Sequence, residues 1–109
     1  MRNSLLTLAV ALGILFVPSG CDQKPAARVH RVEIKGMAYT PAEVTVTAGD
    51  TIVWVNRDIV PHTVTGEARQ FDSGSVSPAA EWSLVTRDRG RTSYTCTFHP
   101  IMKGAIVVQ

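Results

Sequence analysis

Near the C-terminus the stretch SYTCTFHPIMKG, residues 93–104, sets a cysteine, a histidine and a methionine three residues apart: Cys96, His99 and Met102. A thiolate is both a nucleophile and a soft metal ligand, an imidazole is a base or a ligand, and a thioether is a weak soft donor. The chain has only two cysteines and three histidines. Chemistry centred on this loop therefore has few other residues to recruit. Three chemistries are open: thiol catalysis with Cys96 as nucleophile and His62 or His99 as base, a disulfide to Cys21, or metal ligation.

The first two leave residues idle. Thiol catalysis gives Met102 no role, and nothing in the sequence supplies an oxyanion hole or a substrate cleft. A Cys21–Cys96 bridge would tie an N-terminal tether to the middle of the loop. Metal ligation uses all three residues, because a thiolate, two imidazoles and a long axial thioether define blue-copper sites. A second histidine is then required. His62 follows Pro61 at the start of a short strand in RDIVPHTVTG, whereas His30 sits in VHRVEIK near the N-terminal end and reads as a strand-boundary residue. Met102 and Met37 compete for the axial place. Met102 lies six residues from the thiolate, and Met37, after Gly36 at a strand end, suits core packing. Protein would fill every copper position, leaving none for substrate. That pattern excludes an enzyme.

These residues need a scaffold, and 109 residues allow one domain. Arg2 followed by the apolar run Leu5–Val17 is too short to span a bilayer as a helix but suits a signal-peptide core. VPSGC resembles a bacterial lipoprotein cleavage site, with Cys21 as the lipid-modified N-terminal residue. The expected organisation is a lipoprotein-like signal peptide over 1–20, a tether over 21–28 containing DQKPAAR, and a domain over 29–109. The chain is expected to be exported to the periplasm, with a lipid anchor at Cys21. Without Arg2 the chain carries 10 basic and 9 acidic side chains, a net charge of +1. No basic patch stands out, so nucleic acid is excluded as a partner.

No segment after the tether has helical periodicity. VHRVEIK alternates, with His30, Val32 and Ile34 on one face, and AEVTVT alternates with Val44 and Val46 inward. AGD is a turn, and TIVWVN is rich in β-branched and aromatic residues, so residues 42–47 and 51–56 are expected to pair as a hairpin. HTVTG, EWSLVT, RTSYTC and GAIVVQ complete the set, with FDSGSVSP as loop. Seven or eight short strands at this spacing predict an all-β, two-sheet sandwich. An immunoglobulin-like version has Tyr94 two residues before Cys96 and Trp54 as core tryptophan. It fails on spacing, because Cys21 lies 33 residues before Trp54 and outside the sandwich.

The stretches MAYTPAEVTVTAGDTIVWVNRDIVPHTV and YTCTFHPIMKGAIVV resemble the cupredoxins, the type 1 blue-copper family, and within them the amicyanin- and plastocyanin-like single-domain group. The resemblance implies a Greek-key sandwich with one copper held by His62, Cys96, His99 and Met102. It further implies that Asn56 and Thr63 support these ligands. The family commonly has Asn where this chain has Thr63, whose backbone N–H can still donate to the Cys96 sulfur. The side-chain link to the residue after the cysteine is put in doubt by that change. The group's loop usually has proline before the histidine; Phe98 here restores an N–H, expected to bond the same sulfur. The implied function is one-electron transfer by a monomer whose redox partner, a dehydrogenase, cytochrome, oxidase or reductase, docks near His99. Copper delivery or storage with the same ligands is the alternative, disfavoured because only three methionines are present.

Overall fold

The computed structural model describes residues 9–20 and 26–109. Cys21 and the start of the tether lie outside the described residues. Residues 9–20 have no regular structure and are exposed, and among the described residues no helix is long and apolar enough to cross a membrane.

Eight strands follow: β1 Val29–Ile34, β2 Tyr39–Thr40, β3 Glu43–Val46, β4 Thr51–Asn56, β5 Thr65–Gly66, β6 Glu81–Val85, β7 Gly90–Thr95 and β8 Lys103–Val108. They form two four-stranded sheets, ordered β2-β1-β4-β6 and β3-β8-β7-β5. The alternation in the sequence sets which side chains meet between the sheets. Val32, Ile34, Val44, Val46, Ile52, Trp54, Tyr94 and Ile106 are buried there. Each large apolar side chain so buried contributes about 1.5–3 kcal/mol. Trp82 and Leu84 on the edge strand β6 are only half-buried.

Polar atoms in this core are paired across the sheets. The Trp54 indole N–H donates to the Tyr94 hydroxyl at 3.1 Å, and the Tyr39 hydroxyl donates to the Thr63 carbonyl. Burial pushes the Tyr94 phenol up to about 12, with the Trp54 N–H acting in the opposite direction. Tyr39 is raised further, by burial and then by the neighbouring Cys96 and Tyr94. Both phenols stay neutral. Tyr94 faces Gly104 in the β7–β8 register, and its ring occupies the space a Cβ at 104 would need. Close packing of these two positions fixes the strand pair that flanks the ligand loop.

The expected hairpin of residues 42–47 with 51–56 does not form. β3 pairs in parallel with β8, and β4 lies between β1 and β6 in the other sheet. The Thr47–Asp50 turn carries the chain from one sheet to the other: Ala48 N–H bonds the Gln109 carbonyl at 3.0 Å and Gly49 N–H the Thr86 carbonyl at 2.7 Å. Two short alternating runs joined by a turn read alike whether they pair side by side or face to face. Here they face.

This end of the sandwich, opposite Asn56, is organised by Asp50. Its carboxylate accepts the Arg28 N–H at 2.9 Å, the Thr47 N–H at 3.0 Å and the His30 Nε2–H at 2.9 Å. Those bonds, the Arg28 N–H first and then His30 and Thr47, lower the carboxyl from 3.8 to about 2. A depressed folded pKa gives stability that is fully present above the unfolded value and lost as pH falls through the folded one. The unfolding free-energy gap between the wild type and Asp50→Asn should therefore be constant near neutrality and close between about pH 4 and pH 2. Urea unfolding across that range measures it; a gap that persists undiminished at pH 2 contradicts the assignment.

Candidate metal centre

The opening spacing of three residues has a local cause. His99 N–H bonds the Cys96 carbonyl at 3.3 Å, Met102 N–H bonds the His99 carbonyl at 2.9 Å, and Cys96 N–H closes the loop onto the Met102 carbonyl at 3.3 Å. Successive i→i+3 turns bring side chains three apart onto one side. The loop leaves β7 at Thr95 and re-enters β8 at Lys103, a directly paired couple. Its ends cannot drift apart.

His62 arrives from the other side. It is bridged to Val76 by two backbone bonds, 3.2 and 2.7 Å. The preceding loop is braced by Asn56, whose side-chain amide donates to the carbonyls of Val60 and Val76, both at 2.9 Å. Its side-chain oxygen accepts the Asp58 N–H at 2.9 Å.

His62, Cys96 and His99 each offer one ligand atom, and these atoms lie within 4.8 Å of one another. Cys96 Sγ is 3.8 Å from His62 Nδ1 and 3.9 Å from His99 Nδ1. Ligands about 2.0–2.3 Å from a shared ion in a trigonal set stand just under 4 Å apart. These separations therefore fit a metal held between the three. Cys96 and His62 are wholly buried, at 0% exposure, while His99 is half-buried. Cys96 is a free thiol. Met102 is buried in the same core cluster as Cys96. Two imidazoles, a thiol and a nearby thioether make a donor set that suits copper.

The hydrogen bonds around the ligands are as specific as the ligands. The Thr63 N–H donates to Cys96 Sγ at 3.3 Å. The Thr63 hydroxyl accepts the Thr97 N–H at 2.8 Å and lies 3.2 Å from the Thr97 hydroxyl. Thr63 thus restores the side-chain link to the residue after the cysteine. The bond expected from Phe98 is not made: the sulfur's close backbone donor is Thr63, and Phe98 is 51% exposed. His30 is at the opposite end with Asp50. Met37 packs against the core.

Sequence reasoning missed Asp58. His62 Nε2 donates to Asp58 Oδ2 at 2.8 Å, which leaves Nδ1 turned toward the sulfur. The Asp58 carboxylate also accepts the N–H groups of Gly36 at 2.7 Å and Met37 at 3.0 Å. Both residues are in the left-handed region, with φ of 61° and 59°, so successive N–H groups converge into an anion-holding nest. Burial alone would raise the Asp58 carboxyl, but the Met37 and Gly36 N–H groups and the His62 ring hold it below its ordinary value. The available signal was an acid four residues before the histidine, in DIVPH.

Comparison with known proteins agrees with this geometry. A family model described as a cupredoxin-like domain matches residues 8–108. Amicyanin of Paracoccus denitrificans is 35% identical over 88 residues; the match covers 72% of this chain and 63% of the relative's own length. Amicyanin-alpha of Methylorubrum extorquens is 30% identical over 108 residues, covering 94% of this chain and 87% of that protein. Among solved structures, the Cu(I) form of an amicyanin variant is similar, with a TM-score of 0.71 and 31% identity over 77% of this chain and 85% of that one.

Removing the Asp58 carboxylate strands a buried imidazole N–H and two backbone N–H groups. Asp58→Ala should lower the stability of the metal-free protein by about 1–3 kcal/mol. It should weaken metal binding roughly 10–100-fold, as loss of a histidine's outer partner does. Urea unfolding and metal titration measure the two effects, and near-wild-type metal affinity would contradict the orienting role.

Proposed function

The chain belongs to the cupredoxin family, and on that premise we propose that it is an exported one-electron carrier binding one copper through His62, Cys96, His99 and Met102. The observation that carries this reading is the burial of the assembled ligands. Cys96 and His62 have no exposed surface, so no substrate can approach them, while His99 alone of the three keeps an edge toward solvent. Bound copper would supply the Cu(I)/Cu(II) couple.

The protein's own residues do the rest. Asp58 fixes the His62 ring and the tautomer that offers Nδ1. The Thr63 N–H withdraws density from the Cys96 sulfur, which favours the reduced metal. The direct β7–β8 pairing and the closed turns hold His99 and Met102. Ligands that stay in place when the charge changes keep the reorganisation cost of electron transfer low.

The loop around His99 exposes apolar side chains: Ile101 is 84% exposed and Phe98 51%, and Pro100 next to His99 and Pro61 next to His62 are exposed. A small apolar patch of this kind suits brief docking, with the electron passing through the His99 edge. The partner fits the description of another exported redox protein: a dehydrogenase, cytochrome, oxidase or reductase. Buried ligands also argue against copper delivery, which needs an exchangeable site.

The Cu(II)-loaded protein should show an intense visible thiolate-to-copper band. Cys96→Ala should abolish it and His62→Ala should greatly weaken it, while His30→Ala and Met37→Leu leave it nearly unchanged. A colourless wild type, or colour lost in His30→Ala and kept in His62→Ala, would sink the assignment.

The apolar run at 5–17 and Cys21 after Gly20 support export with a lipid on Cys21. Mass spectrometry of the chain expressed in bacteria should find a lipidated Cys21 at the mature N-terminus, and Cys21→Ala should release the protein from membranes. An unmodified mature N-terminus would rule the anchor out.

A further inference from the structure

Four side chains run in single file from Thr97, exposed on the ligand loop, through the core to Asp72 at the surface. Thr97 Oγ1 lies 3.2 Å from Thr63 Oγ1, Thr63 Oγ1 lies 3.0 Å from Thr65 Oγ1, and Thr65 Oγ1 lies 3.1 Å from Asp72 Oδ1. Thr63 and Thr65 are buried, at 2% and 3% exposure, while the Asp72 side chain is 45% exposed. Neither the metal ligands nor the docking face accounts for this file. It resolves by counting protons.

Each hydroxyl has one proton to give, and a carboxylate only accepts. Thr65 must therefore spend its proton on Asp72. The Thr63–Thr65 contact is then donated by Thr63, which spends the Thr63 proton. The Thr63–Thr97 contact must in turn be donated by Thr97. The Thr97 N–H is likewise spent on the Thr63 oxygen, at 2.8 Å. No polar hydrogen of the residue after Cys96 is left for the sulfur.

We infer that Asp72 is a positioning residue for the copper site: it sets the direction of a Thr97→Thr63→Thr65→Asp72 hydroxyl chain and so determines the hydrogen bonding beside the Cys96 thiolate. The inference rests on the copper reading for its redox consequence but not for the proton order. With every O–H pointing away from the loop, the oxygen ends of the dipoles face the ligands and favour the more positive metal. A hydrogen bond and a longer ion pair also reach Asp72. The Gly74 N–H donates to the same Oδ1 at 2.9 Å, and Arg69 lies 3.6 Å from Oδ2. If the terminal acceptor is removed, Thr65 can donate to Thr63 and Thr63 to Thr97, and the file can reverse.

Two measurements test this. In neutron diffraction from metal-free wild-type crystals, deuterium should lie on Thr65 toward Asp72, on Thr63 toward Thr65 and on Thr97 toward Thr63; the opposite order overturns the inference whether or not copper binds. In voltammetry of the copper-loaded protein, Asp72→Ala and Thr65→Val should shift the reduction potential upward. Asp72→Asn, which keeps an acceptor oxygen, should stay nearer the wild type. Unchanged potentials in Asp72→Ala and Thr65→Val overturn the inference. So does an Asp72→Asn shift as large as that of Asp72→Ala, because the effect would then be charge alone. A wild type that takes up no copper would instead fell the proposed function, and the neutron result would still decide the direction of the chain.

Discussion

An imidazole with no exposed surface must find partners for both ring nitrogens within the protein, because an unmet buried polar group costs about 1–3 kcal/mol. For His62 one partner is Asp58, on Nε2. The other nitrogen is left facing the Cys96 sulfur. Much of the site's construction follows from satisfying that one ring. Asp58 must itself be held, so two left-handed residues present their N–H groups to it, and Asn56 braces the loop on which it sits. The bland requirement of burying a histidine without loss becomes the device that aims it.

The sandwich meets this requirement by drawing the ligands from different parts of the chain. His62 lies before β5, at a bridge to Val76, and Cys96, His99 and Met102 hang between the paired ends of β7 and β8. The two groups are joined by Thr63: its N–H reaches the sulfur and its hydroxyl receives the Thr97 N–H. Behind them the Trp54–Tyr94 and Tyr39–Thr63 bonds lock the inner faces of the sheets together. Close packing of Tyr94 over Gly104 leaves little freedom at the base of the ligand loop. The rigidity an electron carrier needs is spread through the core rather than confined to the ligands.

Much of this was legible in the residues. Alternation placed Val32, Ile34, Val44 and Val46 inward, and the Cys96–His99–Met102 spacing marked the loop. The pairing of β3 and β4 was not legible, because alternation reports which face is buried but not which strand lies alongside. The short β2 strand, Tyr39–Thr40, was too brief to show a period. Asp58 escaped because an exposed-looking acid in a polar loop gives no hint that its oxygens meet a buried ring. The chain of Thr63, Thr65 and Asp72 escaped for a similar reason: threonines in a strand read as β-formers, and their hydroxyl partners exist only once the sheets are assembled. The Phe98 expectation treated a restored N–H as if its direction followed from its presence. Loop geometry decides direction, and it turns that residue outward.

On this reading the fold, not the metal, sets the positions of the candidate ligands. Crystal structures of the metal-free, Cu(I) and Cu(II) proteins at neutral pH test it most directly. His62 Nδ1, Cys96 Sγ and His99 Nδ1 should superpose within about 0.5 Å across the three states, the tolerance of a preorganised site. A metal-free structure in which His62 leaves Asp58, or in which the ligand loop opens away from Thr63, would contradict it.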